Sequence, residues 1–419
     1  MTEYIDAVKT AKQAMSAILT PTPLQNNVYL SQMLGADIYL KREDLTPVRS
    51  YKLRGAYNFF RKALEADLNK AHTFVCASAG NHAQGFAYTC RYFGKNGTVF
   101  MPVTTPQQKI DKTCAFGGSF IDIELVGDYF DQCYRAAQAF SEQQQATMVP
   151  PFDHRDIIEG QATVGLELIE QIGADRKIDI LILPVGGGGL SSGVTQVFQQ
   201  CSPETQIILT EPSGAPSLKR SLQADQRVQL EQVDNFVDGA AVAEIGELNF
   251  EILRTFDEED VVLVPENRLC ATIVEMLNIE GIVLEPAGAL TVDVAKACGR
   301  EILAGKTVVC VTSGGNFDFE RLPEVKEKAL RFSGLKKYFI LRMPQRPGAL
   351  RDFLEMLGPH DDIARFEYLK KSARNFGTVL IGVETNDPAN FEALANKLTE
   401  SELKFQDITD NDILGGLII

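Results

Sequence analysis

The sequence predicts an α/β fold: two doubly wound parallel sheets, followed by a small C-terminal α+β domain of ferredoxin-like order. Three observations predict it. Between residues 36 and 320, short apolar runs alternate with segments of helical periodicity, the pattern of repeated βα units. The strongest run, Ile178–Val185, contains Ile180-Leu181-Ile182-Leu183 without a polar break, as a strand buried on both faces requires. After a lysine- and glutamate-rich stretch near Leu322–Gly334, the order changes to β-α-β-β-α-β.

The elements follow from the period of their apolar residues, two for strands and 3.6 for helices. Ala36–Lys41 reads as a strand, Tyr51–Leu64 as a helix, Thr73–Ala77 as a strand and Ala83–Phe93 as a helix. Thr98–Val103 and Phe120–Leu125 read as strands, with helices Gln107–Phe116 and Tyr129–Gln143 after them. Gly160–Gln171 is helical and leads to the strand Ile178–Val185, the helix Ser192–Gln199 and the strand Gln206–Thr210. Helices Leu269–Leu277 and Ala287–Ala297 precede the strand Thr307–Thr312. In the last segment the strands are Tyr338–Arg342, Ala364–Lys370, Thr378–Glu384 and Lys404–Ile408, and the helices are Ala349–Leu357 and Asn390–Ser401. Repeated βα units place helices on both faces of each parallel sheet and leave a cleft between the two sheets.

Composition narrows the function. The chain has 419 residues, 45% of them apolar and 23% charged, as suits a soluble protein with a sizeable core. A net charge of −15 argues against nucleic acid or an anionic membrane as partner. Met1–Ala14 carries Glu3 and Asp6 and lacks the apolar run of a signal peptide, and no apolar run is long enough to span a bilayer. The eight cysteines form no C-x-x-C pair and are expected as core thiols of a cytoplasmic protein. The four histidines lack ligand spacing, so no metal site is expected.

Four segments and one lysine carry chemistry. Lys52 stands in Ser50-Tyr51-Lys52-Leu53-Arg54-Gly55-Ala56, after a turn containing Pro47 and at the start of a helix. A crowded lysine loses its charge easily, and its neutral amine can condense with a carbonyl cofactor. Gly186-Gly187-Gly188-Gly189-Leu190 follows the strongest strand and opens a helix. Consecutive glycines let amides converge on an anion at a helix start, which makes this a phosphate cradle. A dinucleotide frame fails, because the last glycine of G-x-G-x-x-G falls on Ser191 or Ser192, although Glu211 sits where a ribose-binding acid would stand. No lysine follows the glycines, which excludes a Walker loop.

Ser78-Ala79-Gly80-Asn81-His82-Ala83-Gln84-Gly85 forms a second strand-to-helix turn, with amides and a hydroxyl suited to a carboxylate. Capping alone would account for one of Ser78 and Asn81, and His82 taken alone reads as structural. Ser313-Gly314-Gly315-Asn316 is a third turn, with a neutral hydroxyl for a heterocyclic nitrogen. Glu285-Pro286-Ala287-Gly288-Ala289 places an acid before a helix, where the helix dipole is an equal explanation. The turns follow strands, so they lie at the sheet edges where open α/β folds bind ligands.

Together these segments resemble the fold-type II pyridoxal-phosphate enzymes, the tryptophan-synthase-β-like family, and within it the threonine dehydratase group. The resemblance covers residues 50–316, and the segment with Arg346-Pro347-Gly348-Ala349-Leu350 is similar to the single ACT-like regulatory domain of the biosynthetic members. Tyr51 departs from the phenylalanine that many relatives carry there. The resemblance implies a large catalytic domain of residues 1–45 and 146–325, a small one of 46–145, a linker of 326–334 and a regulatory domain of 335–419.

It further implies that Lys52 carries pyridoxal 5′-phosphate and then acts as base, beside Tyr51. Gly186, Gly187, Gly188, Gly189 and Leu190 would hold the phosphate, Asn81 the 3-hydroxyl and Ser313 the pyridine nitrogen. Ser78, Ala79, Gly80, Asn81, His82 and Glu285 would face the substrate. The activity implied is deamination of L-threonine to 2-oxobutanoate, with L-serine as a further substrate, isoleucine as inhibitor and valine opposing it, in a dimer or tetramer. Two other readings remain open at the sequence level. One is a serine-preferring or other β-eliminating or β-replacing enzyme of the same fold. The other is an amino-acid sensor working through the C-terminal domain, against which an intact Lys52 and three ligand turns argue.

Overall fold

A computed structural model describes residues 2–66, 73–369 and 375–411. In chain order the strands are β1 (Leu24–Asn26), β2 (Asp37–Arg42), β3 (Phe74–Ala77), β4 (Gly97–Met101), β5 (Ile121–Leu125), β6 (Thr147–Met148), β7 (Ile180–Pro184), β8 (Gln206–Pro212), β9 (Val261–Val264), β10 (Thr307–Thr312), β11 (Lys336–Pro344), β12 (Asp362–Leu369), β13 (Phe376–Glu384) and β14 (Lys404–Asp407). The chain divides into two units. The first runs to Phe317 apart from Cys270–Glu275, and the second holds that short segment and the chain from Asp318.

The first unit contains two sheets. The larger has the order β1-β2-β10-β7-β8-β9, parallel except for β1. Residues alternate along β7. Leu181 and Leu183 pack with Val164, Leu168, Val194 and Phe198 from the helices Arg155–Ile172 and Gly189–Cys201. Ile180 and Ile182 are equally buried, and the helix Pro286–Leu303 lies against the same sheet, with Thr291 Oγ1 donating to Val311 O at 3.1 Å. Burial on both faces is why the apolar run is unbroken.

From β7 the chain steps outward to β8 and β9, then returns on the other side as β10. The order therefore reverses between β7 and β10, which is where open sheets place their ligand crevice.

The smaller sheet has the order β5-β4-β3-β6, all parallel. Phe74 and Cys76 pack on one face with Phe60, Phe86 and Cys90, while Val75 and Ala77 pack on the other with Cys133 and Ala137. The helix Lys52–Ala66 serves both sheets. Its Phe59 and Phe60 join the smaller sheet's core. Its Gly55 lies against the helix Arg155–Ile172, and a Cβ on Gly160 would stand 2.8 Å from Gly55 Cα.

A buried ionic cluster holds this helix two residues beyond Lys52. Arg54 Nε donates to Glu43 Oε2 at 2.8 Å and Nη1 to Glu167 Oε1 at 2.7 Å, while Lys41 Nζ meets Glu167 Oε2 at 2.5 Å. All four side chains are buried, so each charge depends on the others for the solvation it has lost.

The second unit carries an antiparallel sheet of order β12-β13-β11-β14. Phe339, Leu341 and Met343 alternate on β11 and pack with Phe353, Phe391, Leu394 and Leu398 from the helices Ala349–Leu354 and Ala389–Glu400. Its order is the expected β-α-β-β-α-β.

Three expectations are corrected. Most of residues 326–334, expected as a linker, is helix: Leu322–Phe332 buries Val325 and Ala329 on one face. Cys114 and Cys201, expected in the core, are exposed. The large helices begin earlier than their periodicity indicated, at Asn81, Arg155 and Gly189. The strand expected through Lys370 ends there outside the described residues, as do residues 412–419 of the expected regulatory domain. No helix among the described residues is long and apolar enough to cross a membrane.

Candidate active site

The turns singled out in the sequence leave adjacent strands. Val308 pairs with Ile180 and Cys310 with Ile182, so the turns after β7 and β10 emerge side by side. After β7, Gly188 takes φ 92°, a left-handed conformation that favours glycine, and caps the helix Gly189–Cys201. Asn249 Nδ2 holds Gly187 O at 2.8 Å. Among the described residues, the amides of Gly186, Gly187, Gly188, Gly189 and Leu190 donate to no protein acceptor. They form a concave donor set at a helix start, which is the chemistry of an anion site.

Lys52 is the first residue of its helix. The preceding turn is fixed by Thr46, whose hydroxyl bonds both the carbonyl and the amide of Ser50 at 2.8 Å. Ser50 forms a bridge with Gly314, and Tyr51 N donates to Ser313 O at 3.2 Å. The lysine is thereby tied to the turn after β10. Its Nζ donates to Pro151 O at 2.8 Å and lies 5.3 Å from the Tyr51 ring centre and 5.7 Å from that of Phe152. Phe152 also touches the glycine turn, since a Cβ on Gly187 would stand 2.2 Å from its Cδ1. Burial lowers the Lys52 pKa to about 8, against a smaller upward push from Glu285. About a tenth of the amine is then neutral at pH 7, a few hundred times the fraction of an ordinary lysine.

At the second turn, Gly80 rather than Ser78 caps the helix Asn81–Phe93, and Ser78 Oγ accepts from Gly80 N at 3.2 Å. The amides of Ala79, Asn81 and His82 donate to no acceptor among the described residues. His82 is buried and its Nε2 donates to Val149 O at 3.0 Å. A carbonyl can only accept, so the proton sits on Nε2. Burial, with Lys52 nearby, lowers its pKa to about 3, and the ring is neutral.

Asn81 Nδ2 donates to Glu285 Oε1 at 2.6 Å. Glu285 occupies the N-cap of the helix Pro286–Leu303 but makes no capping bond with its side chain. Its carboxylate turns into the cleft instead, so closely that a Cβ on Gly314 would lie 2.2 Å from Oε1. Burial, and Asp238 nearby, raise its pKa to about 7. Ser313 Oγ donates to Ala287 O at 3.2 Å. Glu211 is used elsewhere: it accepts from Leu218 N at 2.7 Å and Lys219 N at 3.0 Å, starting the helix Ser217–Gln223.

Lys52, Tyr51, the glycine turn, Asn81, Glu285 and Ser313 are thus brought together through direct contacts and through Phe152. Comparison with known proteins names the kind of site. Residues 15–314 match the family described as pyridoxal-phosphate dependent enzyme, and residues 327–418 match the C-terminal regulatory domain of threonine dehydratase. A biosynthetic L-threonine dehydratase of Halalkalibacterium halodurans is 44% identical over 99% of each chain. That of Bacillus subtilis is 44% identical over 98% of this chain and 96% of its own. The chain belongs to the biosynthetic threonine dehydratase family of pyridoxal-phosphate-dependent enzymes. The solved structure of processed threonine deaminase isoform 2 from Solanum lycopersicum superposes with a TM-score of 0.73 and 36% identity, covering 78% of this chain and 93% of that one.

The residues suit the cofactor of this family. Five free amides at a helix start fit a phosphate, and a half-buried amine of lowered pKa fits an aldehyde. A Cβ on Gly80 would meet nothing within 4 Å, so the backbone there faces open space that a ring could fill. Asn81 has one N–H left after its bond to Glu285, enough for a ring oxygen.

Sequence reasoning missed the segment 149–154. Val149 and Pro151 contribute carbonyls, and Phe152 contributes the ring between Lys52 and the glycine turn. Every residue has a carbonyl, so no residue type could have announced these contacts. Asn249 and Asp238 were also missed. Asn316, noted only as the end of a turn, could have been found from its place beside Ser313.

Proposed function

We propose that the protein deaminates L-threonine to 2-oxobutanoate and ammonia by β-elimination, under feedback from isoleucine at the C-terminal unit. The observation that carries this reading is one half-buried lysine of lowered pKa between two strand-to-helix turns with free amides, in a chain 44% identical over its length to biosynthetic threonine dehydratases.

Bound pyridoxal phosphate supplies the electron sink that acidifies the Cα–H of the amino acid and lets the β-hydroxyl leave. The other roles belong to the chain. Gly186, Gly187, Gly188, Gly189 and Leu190 hold the phosphate through their amides. Tyr51 lines the ring, and Asn81 donates its remaining N–H to the ring oxygen. Ser78 Oγ and the free amides of Ala79, Asn81 and His82 orient the threonine carboxylate. Lys52 Nζ, neutral in a useful fraction at neutral pH, takes the Cα proton. Ser313, its hydroxyl turned away from Ala287 O, would offer a neutral donor where a carboxylate would hold a proton on the pyridine nitrogen, which would weaken the sink and favour prompt loss of the substrate hydroxyl.

Serine is turned over as well, because one methyl group supplies only about 1–3 kcal/mol of discrimination. Coupling between the units operates in a dimer or tetramer, with valine opposing isoleucine. Steady-state formation of 2-oxo acid from threonine and from serine, each with and without isoleucine, tests the reading. Turnover of threonine that isoleucine suppresses is expected. A chain that binds the cofactor but leaves threonine unchanged would refute it.

A further inference from the structure

The partners of Asn81 fix which way its amide points. Asn316 Nδ2 donates to Val48 O at 2.9 Å and to Asn81 Oδ1 at 2.7 Å. A backbone carbonyl can only accept, so Val48 determines that Asn316 offers nitrogen to both. Asn81 must then give its oxygen to Asn316 and its nitrogen to Glu285, 2.6 Å away. The backbone amide of Asn316 lies on the same carboxylate's side and favours its ionised form. A chain of hydrogen bonds results, from Val48 through Asn316 and Asn81 to Glu285. It joins separate turns, and Gly315 N, next to Asn316, is fixed to Arg49 O at 2.9 Å.

We propose that Asn316 is a positioning residue for the reaction: by turning the Asn81 amide onto Glu285, it fixes the pH at which that carboxylate takes up its proton beside Lys52. Glu285 is buried, and the charged or titratable groups that act on it are few. Asp238 opposes its ionisation and Lys109, paired with Asp238 at 2.5 Å, favours it. Lys52 and Tyr51 both respond to its charge. The hydrogen bond from Asn81, with the Asn316 amide nearby, stabilises the anion against burial. An aspartate at 316 has no N–H in its side chain to give Val48 or Asn81. The Asn81 amide would swing to donate to that aspartate and present its oxygen to Glu285, which would then have to hold a proton.

A residue that merely pins a loop would move stability and leave proton uptake by Glu285 where it is. The test uses the full-length chain as Asn316→Asp and Asn316→Ala. Glu285 is titrated without cofactor or substrate by its infrared carboxylic-acid band, as the difference from Glu285→Gln. Cofactor affinity is read by absorbance titration, and the pH profile of kcat/KM with threonine is recorded. Asn316→Asp should raise the Glu285 midpoint by about one pH unit or more, since a donor is lost and an anion gained. Asn316→Ala should raise it less, and the acid limb of the profile should follow in each. An unshifted midpoint overturns the proposal, and if Asn316→Asp does not fold, Asn316→Ala alone decides. A shifted midpoint with an unshifted acid limb overturns the role in the reaction. Only the kinetic arm rests on the threonine reading, because the infrared titration needs no substrate.

Discussion

Adding a single methyl group at Gly187 should damage the site from its packing side. An ideal Cβ there stands 2.2, 2.3 and 2.4 Å from Cδ1, Cγ and Cε1 of Phe152. Carbon atoms in contact prefer about 3.5–4.0 Å, so the ring must retreat by about 1.5 Å. The Phe152 backbone cannot move with it, because its carbonyl accepts from His154 N at 3.2 Å and lies against Gly189. Overpacking of this kind costs about 1–3 kcal/mol. The ring sits 5.7 Å from Lys52 Nζ, and the glycine amides form the other wall. If half or more of that cost falls on the loaded state, affinity for pyridoxal phosphate drops by about two- to a hundred-and-fiftyfold. Gly80→Ala is the contrast, since its Cβ meets nothing within 4 Å. Urea unfolding of the apoprotein and absorbance titration with pyridoxal phosphate separate the two. Gly187→Ala should lose both stability and affinity, whereas Gly80→Ala should keep apoprotein stability and lose affinity for cofactor or threonine. A Gly187→Ala protein that unfolds and binds like wild type would refute the steric argument.

Three further outcomes are expected. Glu285 has a folded pKa raised to about 7, so the native state holds an extra proton between about pH 4.3 and 7. The stability tied to it is complete below about pH 4.3 and lost as pH rises through 7, about 4 kcal/mol in all. Urea unfolding at pH 5 and pH 8 should register that fall in wild type and not in Glu285→Gln, and an equal fall in both contradicts it. Glu167 is pushed up by burial, but Arg54 and Lys41 outweigh this and hold its pKa low. Its contribution is present above the ordinary carboxylate range and disappears as pH falls through the depressed value. Glu167→Gln should cost about 3–5 kcal/mol in urea unfolding at pH 7, and a loss below about 1 kcal/mol would mean the cluster is solvated after all. Ser313→Asp should lower elimination from threonine and raise side products such as transamination; an unchanged rate and product profile would remove the argument from the neutral hydroxyl.

The sheets were legible because parallel strands buried on both faces have nowhere to put a polar residue, as Ile180–Leu183 illustrates. The three turns were legible because glycine, serine and asparagine at strand ends are costly or unhelpful in ordinary packing. Helix starts were less so. Gly189 and Asn81 begin helices through backbone geometry rather than propensity, and Arg155 follows a histidine whose Nδ1 accepts from Asp156 N at 3.1 Å. The helix Leu322–Phe332 was hidden by its lysines and glutamates, which obscure an apolar stripe as narrow as Val325 and Ala329. Behind the helix that carries Lys52, the buried cluster of Lys41, Glu43, Arg54 and Glu167 could not be read. Four charges far apart in sequence look like surface residues until the fold brings them together. Glu285 was placed at its helix start by the sequence, but its turn toward Asn81 depends on Gly314 leaving room.

The central claim is that the Lys52 amine is the group that carries pyridoxal phosphate. Borohydride reduction of the loaded full-length protein, followed by digestion and peptide mass analysis, tests it most directly. One pyridoxyl-phosphate adduct per chain is expected, on Lys52, and none in Lys52→Ala. An adduct on another lysine in the wild-type protein, or the same yield of adduct in Lys52→Ala, would contradict it.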